Sequence, residues 1–577
     1  MVEASFRLAL AVSSHHSEAS PASLPQTMGS REEAIQRLFD SVAQEPGNAR
    51  SRINLAQALE GLALNRAGEK ERGVLLSLCL DDDALAFVIP SIVTLMKNDE
   101  GFLALQKGAR RGEDPFVAVT PPVAKFFRDP LMLAALPRMT VADGEVEEVL
   151  AHVRQCILSR FDFASGLDAV DPQVPKEFIC SLARQCSVSK YVFFAAENEL
   201  QRAASLREAI QDALRQEKAS SRPLESALAT AALYDSLHSL EGSERLLQQP
   251  MGEWSEAFRL LVQEQIVDRE REREIARNLI PITAIDDAMS VAVRSQYEEN
   301  PYPRWVTVQR PRPESIDSLL NRLLPRRPLR ACPRPVQVLI AGCGTGMIPI
   351  HCARAYPDTE ILAVDLSLAS LAYAARMSEQ LGVSRITYRQ ADILEMGGLA
   401  KRFSVIDCCG VLHHLADPMA GWRVLVSLLE SDGLMKLALY SEKARHAIRT
   451  AREYARPSNL ARSAEEIRRC RRLIMDAPAG HPVREILTYG DFYTLDGCRD
   501  MLMPVHECQF TLPRIQECLD QLGLRFLGFE SSEATQDRFR QIFPGDDAGE
   551  NLAAWHQFEE IHPDTFIGMY VFWCCKK

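Results

Sequence analysis

The stretch VLIAGCGTGMIPI, residues 338–350, constrains the fold more than any other part of the chain. A short apolar run ends at Ala341, Gly342, Gly344 and Gly346 turn the backbone, and a helical pattern follows. Glycine suits a place where the backbone bends tightly and lets a ligand approach, because a Cβ would collide there. The start of the following helix offers free N–H groups to a carboxylate or phosphate. Dinucleotide sites also use a strand, a glycine turn and a helix. Their spacing is G-x-G-x-x-G, however, and here it is G-x-G-x-G.

The alternation continues downstream. Residues 336–341, 361–365, 386–390, 405–409 and 434–440 read as strands, with helices over 347–356 and 368–381 and others between. Strands and helices at this spacing make a parallel sheet covered on both faces. Ligands of such sheets sit at the carboxyl ends of the strands. Asp365 closes the second strand, where a carboxylate can accept from both hydroxyls of a ribose. Asp392 follows the third, placed to meet an adenine amino group. VIDCCGVLHHLADP, residues 405–418, ends the fourth strand and enters a helix with His413 and His414.

A chain of 577 residues exceeds one ordinary hydrophobic core, so about two or three domains are expected. Residues 1–28 read as a disordered tail rich in Ser, Pro and Ala, with Glu3 where a signal peptide carries positive charge. Residues 29–280 read as an all-α domain, with apolar residues at three- and four-residue spacing in 145–159 and 175–186. The run EQIVDREREREIAR, residues 264–277, reads as a solvated helix face or connector. Residues 281–335, dense in proline from Pro301 to Pro335, form a boundary or lid segment. The alternating region occupies 336–577, with a helical insertion at about 442–490.

Composition narrows the partners. The net charge is -12, from 66 Lys and Arg against 78 Asp and Glu, so nucleic acid is not expected as a partner beyond a local patch. The 15 cysteines are scattered, contain no C-x-x-C and show no zinc spacing, so no metal is expected and the thiols read as buried apolar groups in a reducing compartment. The apolar stretch at residues 84–96 contains Pro90 and is too short to span a bilayer. A cytoplasmic location without membrane contact is expected.

The strand and glycine motifs, with Asp365 and Asp392 at their offsets, resemble class I S-adenosylmethionine-dependent methyltransferases over about residues 285–577. The resemblance implies a Rossmann-like sheet, mostly parallel, with an antiparallel terminal hairpin. It implies S-adenosylmethionine as cofactor, with Gly342, Gly344 and Gly346 against the methionine moiety, Asp365 at the ribose, and Ala341 and Leu366 also among the cofactor-binding residues. Asp392 and Ile393 would meet the adenine, and the backbone at Cys409 and Gly410 the methionine amino group. The family often has an acidic residue two positions before the first glycine, where this chain has Ile340. LRFLGFE (524–530) and TFIGMYVFWCC (565–575) read as the terminal strands, with no strong helical pattern between them. SQYEENPYPRW, GVLHHLADP, YGDFYTLDGCRDML and MYVFW are similar to a bacterial subgroup fused to tetratricopeptide regions. Glu33-Ala34-Ile35, Pro46, Asn48 and Asn54-Leu55-Ala56 follow the offsets of one such unit, a degenerate remnant, since about three stacked repeats are needed to bury their faces.

The implied function is methyl transfer to an unidentified acceptor, a small molecule or a protein. The alternatives are a non-catalytic adaptor with this fold, or a nicotinamide-dependent oxidoreductase. His413 or His414 either takes a proton from the acceptor or packs at the helix start. Tyr297, Tyr302 and Trp305 read as aromatic packing or cofactor cover. Residues 442–472 hold nine Arg and one Lys against four Glu. Arg445, Arg449, Arg452 and Arg456 would share one helix face, and that row either solvates the surface or draws an anionic acceptor to the pocket mouth. The helical domain would bind a protein partner or substrate.

Overall fold

The computed structural model describes residues 28–161, 175–215, 221–248, 254–303, 305–323, 333–456, 463–546 and 549–577. Of the tail expected over 1–28, all but Met28 lies outside the described residues; Met28 opens the Met28–Gln44 helix.

Seven strands form one sheet: β1 Val336–Ala341, β2 Thr359–Asp365, β3 Ile386–Gln390, β4 Phe403–Cys409, β5 Leu429–Tyr440, β6 Leu524–Phe529 and β7 Met569–Lys576. Their order is β3-β2-β1-β4-β5-β7-β6. β1 pairs in parallel with both β2 and β4, and β4 with β5, whereas β7 runs antiparallel to β5 and β6. β1 is buried along nearly its whole length, as a central parallel strand must be when helices cover both faces. The order reverses between β1 and β4, which opens a crevice beyond their carboxyl ends. The Rossmann-like sheet with an antiparallel edge, preceded by a helical region, is thus the observed fold.

The connection at that edge is helical in two short pieces. Between β6 and β7 lie the helices Glu533–Ile542 and Leu552–Ile561, capped by Ser532 and Asn551. Phe539 of the first stacks on Trp555 of the second at 3.9 Å, and Phe558 packs beside them. The apolar pattern is divided between two short helices by Pro544 and Gly545, so no single period runs through the segment.

The charged run at 264–277 is also more than a solvated face. Its Asp268–Asn278 helix lies on Leu368–Gln380, where Arg376 pairs with both Glu272 and Asp268. Glu272 is buried between Arg376 and Arg269, which hold its carboxyl below the usual range against the opposing effect of burial.

The helical insertion does not stand apart. Apolar side chains from Ala438, Tyr440, Ile448, Ile467, Ile486 and Met501 join the N-terminal helices in one hydrophobic cluster. Arg471, on Ala464–Met475, is almost fully buried and forms a two-pronged pair with Glu147 of Gly144–Ser159, at 2.9 and 2.7 Å. It also donates to the carbonyls of Phe492 and Val192. No helix among the described residues is long and apolar enough to cross a membrane.

Removing one partner of a buried pair strands the other charge. Glu147→Ala is therefore expected to lower the unfolding free energy by about 3–5 kcal/mol. Urea denaturation checks this, and a loss below about 1 kcal/mol would show that Arg471 finds full compensation in the carbonyls it already contacts.

Candidate functional site

The glycine turn after β1 has a left-handed backbone at each glycine, with φ of +76° at Gly342, +52° at Gly344 and +88° at Gly346. All three also lack room for a side chain, and a Cβ on Gly342 would stand 2.2 Å from Cγ2 of Val411. A Cβ on Gly344 would stand 2.8 Å from the carbonyl oxygen of Tyr302, and one on Gly346 would stand 2.4 Å from Cβ of Ala374. Gly346 therefore serves close packing of the turn on Leu368–Gln380.

Asp365, at the end of β2, holds this turn. Its Oδ2 accepts the Gly344 N–H at 2.8 Å, and its Oδ1 the Ser367 N–H at 2.9 Å. Burial raises its carboxyl above the usual range, and the two N–H groups pull the other way. Asp392, after β3, is buried. Its Oδ1 accepts the Leu394 N–H at 3.0 Å, while its Oδ2 has no partner among the described residues. A buried carboxylate oxygen without a donor is costly, so this one calls for a ligand that donates.

A cavity opens over these groups. Gly342, Gly344, Asp365, Leu366, Asp392, Ile393 and Cys409 line it, as does Gly410. Ala341 and Gly346 do not; Ala341 is buried in β1 and Gly346 faces Ala374.

The cover comes from the segment before β1. Ser290, Val293, Tyr297, Tyr302 and Pro303 line the cavity, and Arg304 lies outside the described residues. The carboxylate of Glu298 accepts the N–H groups of Leu368 and Ala369, at 2.7 and 3.0 Å, capping that helix. Ser367 Oγ donates to the Tyr297 carbonyl, and Thr345 Oγ1 to that of Pro303. Trp305 is buried away from the cavity, its indole N–H on the Thr345 carbonyl.

Two cavity residues carried no assigned role in the sequence. Asp500, on Leu495–Leu502, accepts the hydroxyls of Tyr297 at 2.8 Å and Tyr440 at 3.1 Å. It falls within YGDFYTLDGCRDML, where nothing local distinguishes it from Asp496. Tyr440 closes β5 and reads from sequence as one more apolar strand residue.

The neighbouring histidines differ. His414 lines the cavity, and its Nδ1 donates to the His506 carbonyl at 2.8 Å. That bond fixes the tautomer and leaves a lone pair on Nε2, which has no protein partner among the described residues. His413 is fully buried and does not line the cavity. Its ring stacks on Tyr440 at 3.6 Å, and its Nδ1 accepts the Tyr440 N–H at 3.4 Å. Burial, with His414 and Arg445 nearby, drives this imidazole well below the usual histidine range. Of the two histidines proposed as a base, the fold brings only His414 to the cavity.

The arginine row does not reach the cavity wall. Arg445 and Arg452 both pair with Glu507, at 2.6 and 2.7 Å, and Arg449 donates to Gln509 and to the Glu442 carbonyl. Arg456 ends the His446–Ala455 helix in a left-handed conformation. None of the four lines the cavity.

With this geometry in view, residues 339–435 match the family model of a methyltransferase domain. The match supports a methyltransferase. A protein of Synechococcus sp. described as uncharacterised is 28% identical over 285 residues, 45% of this chain and 67% of its own length. The ubiquinone biosynthesis O-methyltransferase of Actinobacillus pleuropneumoniae is 32% identical over 104 residues, 17% of this chain and 43% of that protein. The solved structure of PKMT2 from Rickettsia typhi is 17% identical with a TM-score of 0.36, covering 45% of this chain and 52% of that one. This chain therefore spans less than half of that O-methyltransferase and about half of the Rickettsia protein.

A histidine held neutral by the fold stabilises it above the unfolded pKa of about 6.5, and that contribution is lost as pH falls below it. His351, which burial and Lys436 hold at about 4, acts with the same sign. His413→Phe keeps the stack on Tyr440 and removes one titrating ring. Its melting temperature is expected to fall less steeply than wild type below about pH 6.5. Identical pH profiles would place the acid sensitivity elsewhere.

Proposed function

We propose that the protein is an S-adenosylmethionine-dependent methyltransferase. The observation that carries this reading is the orphaned Asp392 Oδ2, buried in the wall of the same cavity as Asp365 and the glycine turn. Asp392 Oδ2 would accept the exocyclic amino group of adenine, with Leu366 and Ile393 as apolar flanks. Each oxygen of Asp365 already receives one backbone N–H and keeps a lone pair for a ribose hydroxyl. When bound, S-adenosylmethionine supplies a methyl carbon on a sulfonium sulfur, open to in-line displacement. The chain supplies placement and dryness: Tyr297, Tyr302 and Pro303 cover the cavity, and a covered site excludes water that would compete for the methyl. His414 Nε2 is the position that takes the acceptor's proton.

The wider reading assigns residues 29–280 to a helical domain that meets a substrate or protein partner, with 281–335 as cover and 336–577 as the catalytic part, acting in the cytoplasm. The tetratricopeptide-like remnant belongs to this proposal. Nothing in the relatives favours an adaptor or a nicotinamide enzyme.

Isothermal titration with S-adenosylmethionine tests the reading. Wild type is expected to bind, Asp392→Ala to bind at least about tenfold more weakly, and His414→Ala to keep its affinity while losing turnover. Absence of binding, or unchanged affinity in Asp392→Ala, would overturn it.

A further inference from the structure

The cavity carries a second set of polar groups. Its walls include Tyr297, Tyr302, Tyr440, His414 and Asp500. Asp500 is 2% exposed, and no Lys or Arg forms an ion pair with it among the described residues. Its two oxygens accept one tyrosine hydroxyl each, and each keeps a lone pair. Burial and the charge of Asp500 push the hydroxyls of Tyr297 and Tyr440 well above the usual tyrosine range, so both remain donors. Among the described lining residues there are three aspartates and no Lys or Arg. The charge of Arg445 reaches Asp500, but that guanidinium lies over Tyr440 and is engaged by Glu507, so on its cavity side this buried carboxylate favours a further cation.

We propose that the methyl acceptor is an alkylamine, bound as its ammonium ion by Asp500 among Tyr297, Tyr302 and Tyr440. The proposal rests on the methyltransferase reading and names the substrate class of that site. It replaces the anionic acceptor suggested by the arginine row, since Arg445 and Arg452 are engaged by Glu507. The same two tyrosines tie Asp500 to the base. Tyr297 and Tyr440 donate to Asp500, and their rings stand edge-on to His414 at 6.5 and 5.7 Å. The ammonium gives one proton to His414 Nε2. The freed nitrogen lone pair then forms a bond to the methyl carbon as the carbon–sulfur bond breaks, with its electron pair left on sulfur. The product is the methylated ammonium ion, and the sulfonium charge is discharged to a neutral thioether.

The test is calorimetric titration of the full chain, with and without S-adenosylhomocysteine, using hexylamine, hexanol and hexanoate, which differ only in the head group. Hexylamine is expected to bind at least about tenfold more tightly than hexanol, and hexanoate most weakly. Asp500→Asn is expected to lose that margin while keeping its affinity for S-adenosylhomocysteine. Hexanoate binding as well as hexylamine, no preference among the three heads (absence of binding included), or a margin that survives in Asp500→Asn would each overturn the proposal. The wild-type ranking decides the matter even where the variant fails to fold. Failure of S-adenosylhomocysteine to bind would instead remove the cofactor reading. A parallel titration with N-acetyl-lysine methylamide separates the sources. Tighter binding of the lysine derivative points to a protein side chain, and tighter binding of hexylamine to a free amine.

Discussion

The carboxylate of Asp365 joins three pieces of backbone that would otherwise move separately. It sits at the end of β2, yet one oxygen holds the glycine turn of β1 and the other the start of Leu368–Gln380. Bonds from backbone N–H groups to a charged oxygen are among the stronger ones a protein makes, about 1.5–3 kcal/mol each. The cover depends on the same point. Ser367, whose N–H Asp365 accepts, donates its hydroxyl to Tyr297, and Glu298 caps the helix that begins there. A group bound against Asp365 would therefore meet a turn and a cover already in register.

The rest of the cavity is built from a different core. Asp500 stands on a helix whose neighbours pack with the N-terminal helices, and Leu495 at its start donates its N–H to the Ser189 carbonyl. Arg468 donates twice to the Tyr191 carbonyl next to it, and Arg471 reaches Glu147. The sheet thus supplies Asp365, Asp392 and Tyr440 to the cavity, and the helical core supplies Asp500. Any change in how the helical core sits on the sheet would move Asp500 relative to Asp365. That gives the long N-terminal region a role in shaping the cavity, whatever else it contacts.

What the sequence made legible was chain-local. The glycine turn, Asp365 and Asp392 are each fixed by their distance from a strand end, so periodicity alone places them at one edge of the sheet. Asp500 reaches the cavity only through tertiary packing, and its carboxylate has no local cue. The arginine spacing correctly implied one helix face, but the group that engages it, Glu507, lies 55 residues beyond Arg452. Gly346 shows the reverse error. It has the type and position of a ligand-binding glycine, and what it makes room for is Ala374. The two helices before β7 were hidden because Phe539 and Trp555, which form one stack, belong to separate short periods.

The histidine pair shows how one dipeptide can hold two chemical states. Arg445 lies 3.6 Å from the centre of the Tyr440 ring, and His413 lies at the same distance. Two groups so close to one centroid cannot share a face, so the ring is clamped between them. The guanidinium already holds the favourable cation position on the ring and is balanced by Glu507. A second positive charge on His413 would be buried beside it without a partner, so His413 remains neutral and acts by shape. The clamp fixes Tyr440, and Tyr440 fixes Asp500. His414, one residue on, turns instead to the cavity with its tautomer set by a backbone carbonyl. The burial that keeps His413 neutral thus leaves His414 as the histidine of the pair that faces the cavity.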